Sequence, residues 1–385
     1  MSLNRTLIRV LGAFGLAVVT AVVPAAQAEA SNAQAEASKA TASIKVGYQP
    51  NMGSAAILSI GIDKGMFDKE HLKVEPVQFP SGQALVDALS SGQIDIGYVG
   101  PGAAFHAMQG AAKVLTWDNI ALGDAVLARK GSGITTPGDL VGKKVLVPEG
   151  TSADMVLRVA LKEAGVDYKK VTTLASTPDA ATAAFAAGQA DAIAIWAPFT
   201  NQLEAAGKLV HVASDNPADP VHISKPKMVG LWLANNDFFS ERQSAAAAFL
   251  RADAAANDYR KDHAEAIVPA VSKFAGVPAK LLKASIPTYK FMTSDEIRSG
   301  VTDGTLAGYL KGLNRVMVSM GQLKSVVPVD NYFPQRQIAK LYQSESGSSV
   351  AATKDSGVSA GVVVAVVAGL IVLLGGGLLL KRRMS

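Results

Sequence analysis

Between residues 43 and 342, short apolar runs alternate with stretches that are apolar on one side only. The runs at 44–48, 74–79, 94–99, 113–117, 144–147, 171–175 and 192–196 read as strands. Most are apolar throughout, as strands covered on both faces are. Helical periodicity fills the intervals at 55–66, 82–90, 103–109, 153–164, 178–187 and 199–206. Strand–helix alternation at this spacing predicts βαβ units and mostly parallel pairing. From 237 to 320 the pattern is almost wholly helical, clearest in "SAAAAFLRADAAANDYRKD" at 244–262, and one strand-like run at 228–234 precedes it. Two α/β lobes joined by crossing segments near 125–128 and 224–233 fit this order better than one large sheet. Lobe I is expected over 43–125 and again, with the C-terminal helices, over 226–342; lobe II is expected over 126–225.

The ends follow other patterns. Arg5 and Arg9, an apolar run at 10–23, and Ala26 and Ala28 make residues 1–28 a secretory signal peptide. Residues 29–42 read as a flexible lead-in. A polar linker at 343–357 precedes an uncharged run at 358–380. At ~1.5 Å per residue that run, as a helix, crosses a ~30 Å hydrocarbon core. Lys381, Arg382 and Arg383 follow it, which sets a short tail, 381–385, on the cytoplasmic side and the main body outside. Some surface-sorting signals end similarly, but no LPxTG-type motif precedes this run.

Composition narrows the chemistry. Charged residues are 18% of the 385 and the net charge is +5. Part of that charge sits at the two ends, so no nucleic-acid footprint is expected. The chain has no cysteine, which removes disulfides, thiolate catalysis, cysteine zinc sites and a lipid-bearing cysteine. Its 5 histidines form neither HExxH nor a near pair, so no metal is expected. "GVSAG" at 357–361 opens the apolar run instead of joining a strand to a helix, and "SKPK" at 224–227 lies in a polar loop. No phosphate-binding G-x-x-x-x-G-K-[ST] occurs. An enzyme is not expected, nor a cofactor.

Four loops carry the candidate site: "GYQPNMGSAA" (47–56), "GPGAAF" (100–105), "PEGTSADM" (148–155) and "WAPF" (196–199). Each leads from a strand into a helix. In open α/β sheets ligands bind beyond the carboxyl ends of strands. Helix starts there expose unpaired N–H donors and the positive end of a helix dipole, a setting for an anion. Thr151 and Ser152 add hydroxyl donors. One such loop alone reads as ordinary capping; four together point to a ligand cleft. Trp196 stands at a strand lip just before Pro198, which suits a first helical turn, so the indole is expected to line the cleft. Tyr48, Trp117 and Trp232 are the other aromatics placed near it, Trp232 being the one best suited to the core. Asp124, Glu149 and Asp154 lie near the cleft and read as cap or hinge residues.

The stretches "GYQPNMGSAAI", "GIDKGMFDKEHLKVEPVQFPSGQALVDALSSGQIDIGYVGPGAA", "VPEGTSADMVL" and "GQADAIAIWAPF" resemble the nitrate/sulfonate/taurine class of ABC-importer solute-binding proteins. The resemblance covers nearly all of 44–342, and "WAPFTNQLEAAGKLV" and "TYKFMTSDEI" bring it nearest to taurine binders. It implies an α/β type II periplasmic-binding-protein fold, two lobes with a hinge, closing over a small anion. Matching positions imply Tyr48 and Ser54 on the first loop, Gly100 and Gly102 on the second, Thr151 and Ser152 on the third, and Trp196 on the fourth; Gln49, Pro101 and Pro198 on the same loops are further candidate ligand residues. Implied partners are an ABC permease and its ATPase; a monomer is expected. Two departures stand out. Taurine binders carry an Asp before the hinge-strand Trp, where this chain has Gly230. That favours an alkanesulfonate or another oxyanion over taurine, unless Asp124 or Glu149 takes over. Family members are usually free or lipid-anchored, whereas this chain carries a C-terminal apolar run. Alternatives are an enzyme of the pyrimidine-synthesising branch of the fold, which the missing cysteines oppose, and a one-pass sensor ectodomain, which the short tail opposes.

Overall fold

In the computed structural model, residues 41–223 and 226–344 are described. The expected signal peptide, the linker beyond Ser344 and the run at 358–380 lie outside the described residues, as does nearly all of the lead-in. Among the described residues no helix is long and apolar enough to cross a membrane.

The strands are β1 (Ala42–Tyr48), β2 (Leu72–Gln78), β3 (Ile96–Val99), β4 (Lys113–Ala121), β5 (Ala125–Arg129), β6 (Lys144–Val147), β7 (Thr172–Ala175), β8 (Ala192–Ile195), β9 (Leu209–Ser214), β10 (Val229–Ala234) and β11 (Tyr289–Phe291). They sort into two sheets, ordered β11-β4-β10-β3-β1-β2 and β7-β6-β8-β5-β9. The helices Gly82–Ser90 and Phe199–Ala206 keep their predicted bounds. The run at 55–66 instead divides into Ser54–Asp63 and Met66–Lys69, broken at Gly65, whose φ of 61° is left-handed.

Pairing is mixed, not mostly parallel. The β1–β2, β1–β3, β6–β7 and β6–β8 pairs are parallel. Those of β10 with β3 and β4, β11 with β4, and β5 with β8 and β9 are antiparallel. The predicted crossings run into strands: β5 takes up 125–128 and β10 begins at Val229, within 224–233, and both enter their sheets directly from the other lobe. They therefore begin at the end where the βα strands finish. The C-terminal ends of forward strands and the N-terminal ends of reversed ones thus share one edge in each sheet. β9 and β11 were not expected from the pattern: β9 carries a histidine mid-run, and β11 is 3 residues long with a central lysine.

The larger core fills the first sheet's faces. Ile44, Val46, Ile96 and Trp232 are buried on the face covered by Ser54–Asp63 and the 21-residue helix Gln243–His263, and Val99 and Leu231 are buried on the other face. Ala245–Ala248 let that helix sit close, and each large apolar side chain it covers contributes roughly 1.5–3 kcal/mol. The same helix buries Asp253, Asn257 and Arg260. A smaller cluster around Leu127, Leu146, Phe185, Ile193 and Leu203 backs the second sheet.

Candidate functional site

The shared edges of the two sheets face one cleft. From the first sheet come Gln49 and Asn51 after β1, Tyr98 on β3, Gly100, Pro101 and Ala103 after it, Ala121 at the end of β4 and Gly123 after it, Gly230 on β10, and Thr288 and Tyr289 at β11. From the second come Thr151 and Ser152 after β6 and Trp196 and Ala197 after β8. Asp124 stands on the crossing between β4 and β5. Gly82, at the start of Gly82–Ser90, adds a helix beginning that the four-loop reading leaves out. Its signal was present in the sequence: Ser81 caps that helix, accepting from Ala84 N–H at 3.3 Å. Among the described residues no Lys or Arg lines the cleft.

The loops are braced from within. After β1, Ser54 Oγ accepts from Gln49 N–H at 3.1 Å and donates to Gln49 O at 3.0 Å. Asn51 Oδ1 accepts from Gly53 and Ser54 N–H at 2.9 and 3.1 Å. Arg260, fully buried, donates to Gly53 O at 2.6 Å and Met52 O at 3.2 Å. After β6, Thr151 Oγ1 accepts from Asp154 N–H at 3.4 Å and donates to Pro148 O at 2.6 Å. Ser152 Oγ donates to Asp124 Oδ1 at 2.5 Å. Both hydroxyls expected to face a ligand are thus committed within the protein. Of the first-turn N–H groups of Ser152–Glu163, that of Asp154 is capped by Thr151, which leaves those of Ser152 and Ala153 with no helical acceptor.

Six of the twelve residues predicted for the site line the cleft: Gln49, Gly100, Pro101, Thr151, Ser152 and Trp196. The other six do not. Tyr48 is one residue out of phase: its ring packs on Phe274 at 5.0 Å and its hydroxyl donates to Gln78 Oε1 at 3.1 Å. Ser54 is fully buried and holds the loop. Trp117 was placed at a strand lip, but β4 runs on to Ala121, which leaves it mid-strand. There it packs close over Gly300, and its Nε1–H donates to Ile297 O at 3.1 Å. Trp232 is core, edge-on to Tyr98 and Phe249. Pro198 lines an adjoining groove with Phe79, Phe199 and Leu281. Gly102 marks a contact between the lobes, since a Cβ there would stand 2.0 Å from the carbonyl carbon of Thr151. Glu149 is exposed and outside the lining.

The cleft's acid is Asp124. Its N–H donates to Asp215 Oδ1 at 3.0 Å and its carbonyl accepts from Asp215 N–H at 3.0 Å, a clasp between the two crossings. Burial pushes the Asp124 carboxyl up to about 6, moderated by donation from Ser152. The Asp215 carboxyl is also held well above the usual carboxylate range, by burial first and then by the charge of Asp124. Among the described residues no His, Asp or Glu cluster has the form of a metal site.

This frame has known counterparts. Residues 53–267 match the family described as NMT1/THI5 like. A putative binding protein of Brucella abortus (strain 2308) is 31% identical over 291 residues, which are 75% of this chain and 89% of that one. The chain belongs to the NMT1/THI5-like family. The taurine-binding periplasmic protein of Escherichia coli (strain K12) is 27% identical over 212 residues, 54% of this chain and 63% of that protein. The alkanesulfonate-binding protein SsuA from Xanthomonas axonopodis pv. citri, solved with MOPS bound, superposes with a TM-score of 0.59 at 21% identity. It covers 76% of this chain and 98% of its own. That likeness establishes the α/β periplasmic-binding-protein fold with two sheets.

Proposed function

We propose that this chain is the extracytoplasmic solute-binding component of an ABC importer of the sulfonate/taurine/nitrate type. It captures a small oxyanion between two lobes of type II order and delivers it to a permease. One observation carries the reading: helix beginnings and strand ends from both sheets converge on a single cleft in which, among the described residues, no Lys or Arg appears. Backbone N–H groups hold an anion there without a fixed cation, so release does not require breaking an ion pair. Proteins named for binding taurine and alkanesulfonates are relatives or share the fold. The ligand stabilises the closed arrangement only through contacts it makes better there. Ser152, Gly100 and Trp196 are assigned as ligand contacts.

Calorimetric titration with taurine, ethanesulfonate and nitrate tests this. Binding of at least one is expected, and no heat with any of them sinks the reading. A tether formed by residues 358–380 belongs to the same proposal and would raise the receptor's concentration near its permease. Recovery of the full chain in the soluble fraction after carbonate extraction of membranes would refute the tether.

A further inference from the structure

One side chain in the cleft wall is held in an orientation that capping does not explain. Tyr98 lies on β3 two residues before Gly100 and lines the cleft beside Gly230. Its Oη accepts from Asn119 Nδ2 at 2.8 Å. The same Nδ2 donates to Asp118 Oδ1 at 2.5 Å. Turning the amide over would set its oxygen against that carboxylate, so the donor faces the phenol. Asp118 is itself anchored by Arg260, whose Nη1 lies 3.5 Å from Oδ2 and whose Nη2 donates to the Asp118 carbonyl at 3.1 Å. All four residues are buried. Tyr98 Oη is therefore an acceptor on its inner side. Among the described residues no acceptor lies within hydrogen-bond reach of its own hydrogen.

Two glycines leave room for this group. A Cβ at Gly230 would stand 2.1 Å from Tyr98 Oη, and one at Gly53 would stand 2.6 Å away. The space an acidic side chain at 230 would fill is thus taken by a phenol reaching over from the neighbouring strand.

We propose that Tyr98 is a ligand-binding residue whose O–H donates to an oxygen of the bound anion, and that position 230 is glycine so that it can. The assignment rests on the anion reading of the cleft. Burial and the nearby Asp118 charge hold the phenol well above its usual range, so it keeps its hydrogen at neutral pH. The chain Arg260–Asp118–Asn119–Tyr98 fixes the donor from behind, and linked hydrogen bonds of this kind polarise one another. Arg260 stays out of the cleft, so the anion meets an oriented hydroxyl and not a cation.

The test compares the wild-type protein with Tyr98→Phe, which keeps the ring against Trp232 and removes the hydroxyl, both the donor offered to the anion and the acceptor of the Asn119 bond. Both are titrated calorimetrically with taurine, ethanesulfonate and nitrate, and their thermal midpoints are measured alongside. A hydrogen bond to a charged group at this site predicts a loss of about tenfold or more for the anion that the wild type binds, with the midpoint lowered only as far as loss of the Asn119 bond accounts for, a drop also seen without ligand. Gly230→Ala, which displaces the phenol, is expected to show a comparable loss. Equal affinity of the wild type and Tyr98→Phe overturns the Tyr98 assignment and leaves the anion reading standing. A wild type that binds none of the three overturns both.

Discussion

Tyr48 and Gln49 are neighbours, yet one packs into a helical layer and the other lines the cleft. Side chains alternate across a strand, so a single step decides between wall and core. Local composition does not record that step; it depends on which sheet face the helices cover. The two tryptophans make the same point through strand length. Trp196 follows a strand that ends at Ile195, whereas Trp117 precedes four further residues of β4. Trp196→Ala is therefore expected to weaken anion binding severalfold in calorimetry while leaving stability nearly intact. Trp232→Ala, at a fully buried position, is expected to cost about 3–5 kcal/mol in urea unfolding. An affinity ranking in the opposite order would place the ligand on the wrong wall.

Elements whose identity is local were legible in the sequence. Gly82–Ser90 and Phe199–Ala206 begin at recognisable signals, Ser81 and Pro198, and β8 is a plain apolar run. Elements that exist because a partner strand receives them were not. β11 pairs with β4 from Tyr289↔Ala121 to Phe291↔Asn119, and nothing within three residues reports that. The cleft was half legible for the same reason: loops that start helices announce themselves, while Tyr98 and Gly230 face the site only through the register of β3 against β10. The best-marked start is that of Ser152–Glu163, where Thr151 caps the backbone and Asp154 accepts from Gly150 N–H at 3.1 Å. Thr151→Ala is expected to lower stability by about 1 kcal/mol, and Thr151→Ser to restore it. An unchanged unfolding midpoint for the alanine variant would mean the cap contributes nothing.

At the scale of the whole molecule, two features govern how the lobes work together. The first is the Asp124–Asp215 clasp on the crossings. Asp124 faces the cleft with a carboxyl raised to about 6, in contact with Ser152 and Asp215. Above that pH it is charged and repels a bound anion; below it, it is neutral. Affinity for ethanesulfonate should therefore rise severalfold as pH falls from 7 to 5. A ligand whose ammonium group faces Asp124 should show the opposite slope, so the same titration with taurine reports which end of it meets the acid. A flat profile for both would remove Asp124 from recognition. The second is the bare contact at Gly102. Gly102→Ala puts a methyl into the peptide of Thr151, so it is expected to keep the lobes apart. Its radius of gyration in X-ray scattering should not contract when ligand is added.

That same contact has a consequence for traffic. Where Gly102 meets Thr151, peptide touches peptide with no room for a side chain between. Gln49, Asn51 and Trp196 belong at once to the cleft and to the furrow running past Phe79 and Leu281. Under the proposed function, a solute held in the cleft has one continuous way out, past an indole, and that threshold is where we place the hand-over.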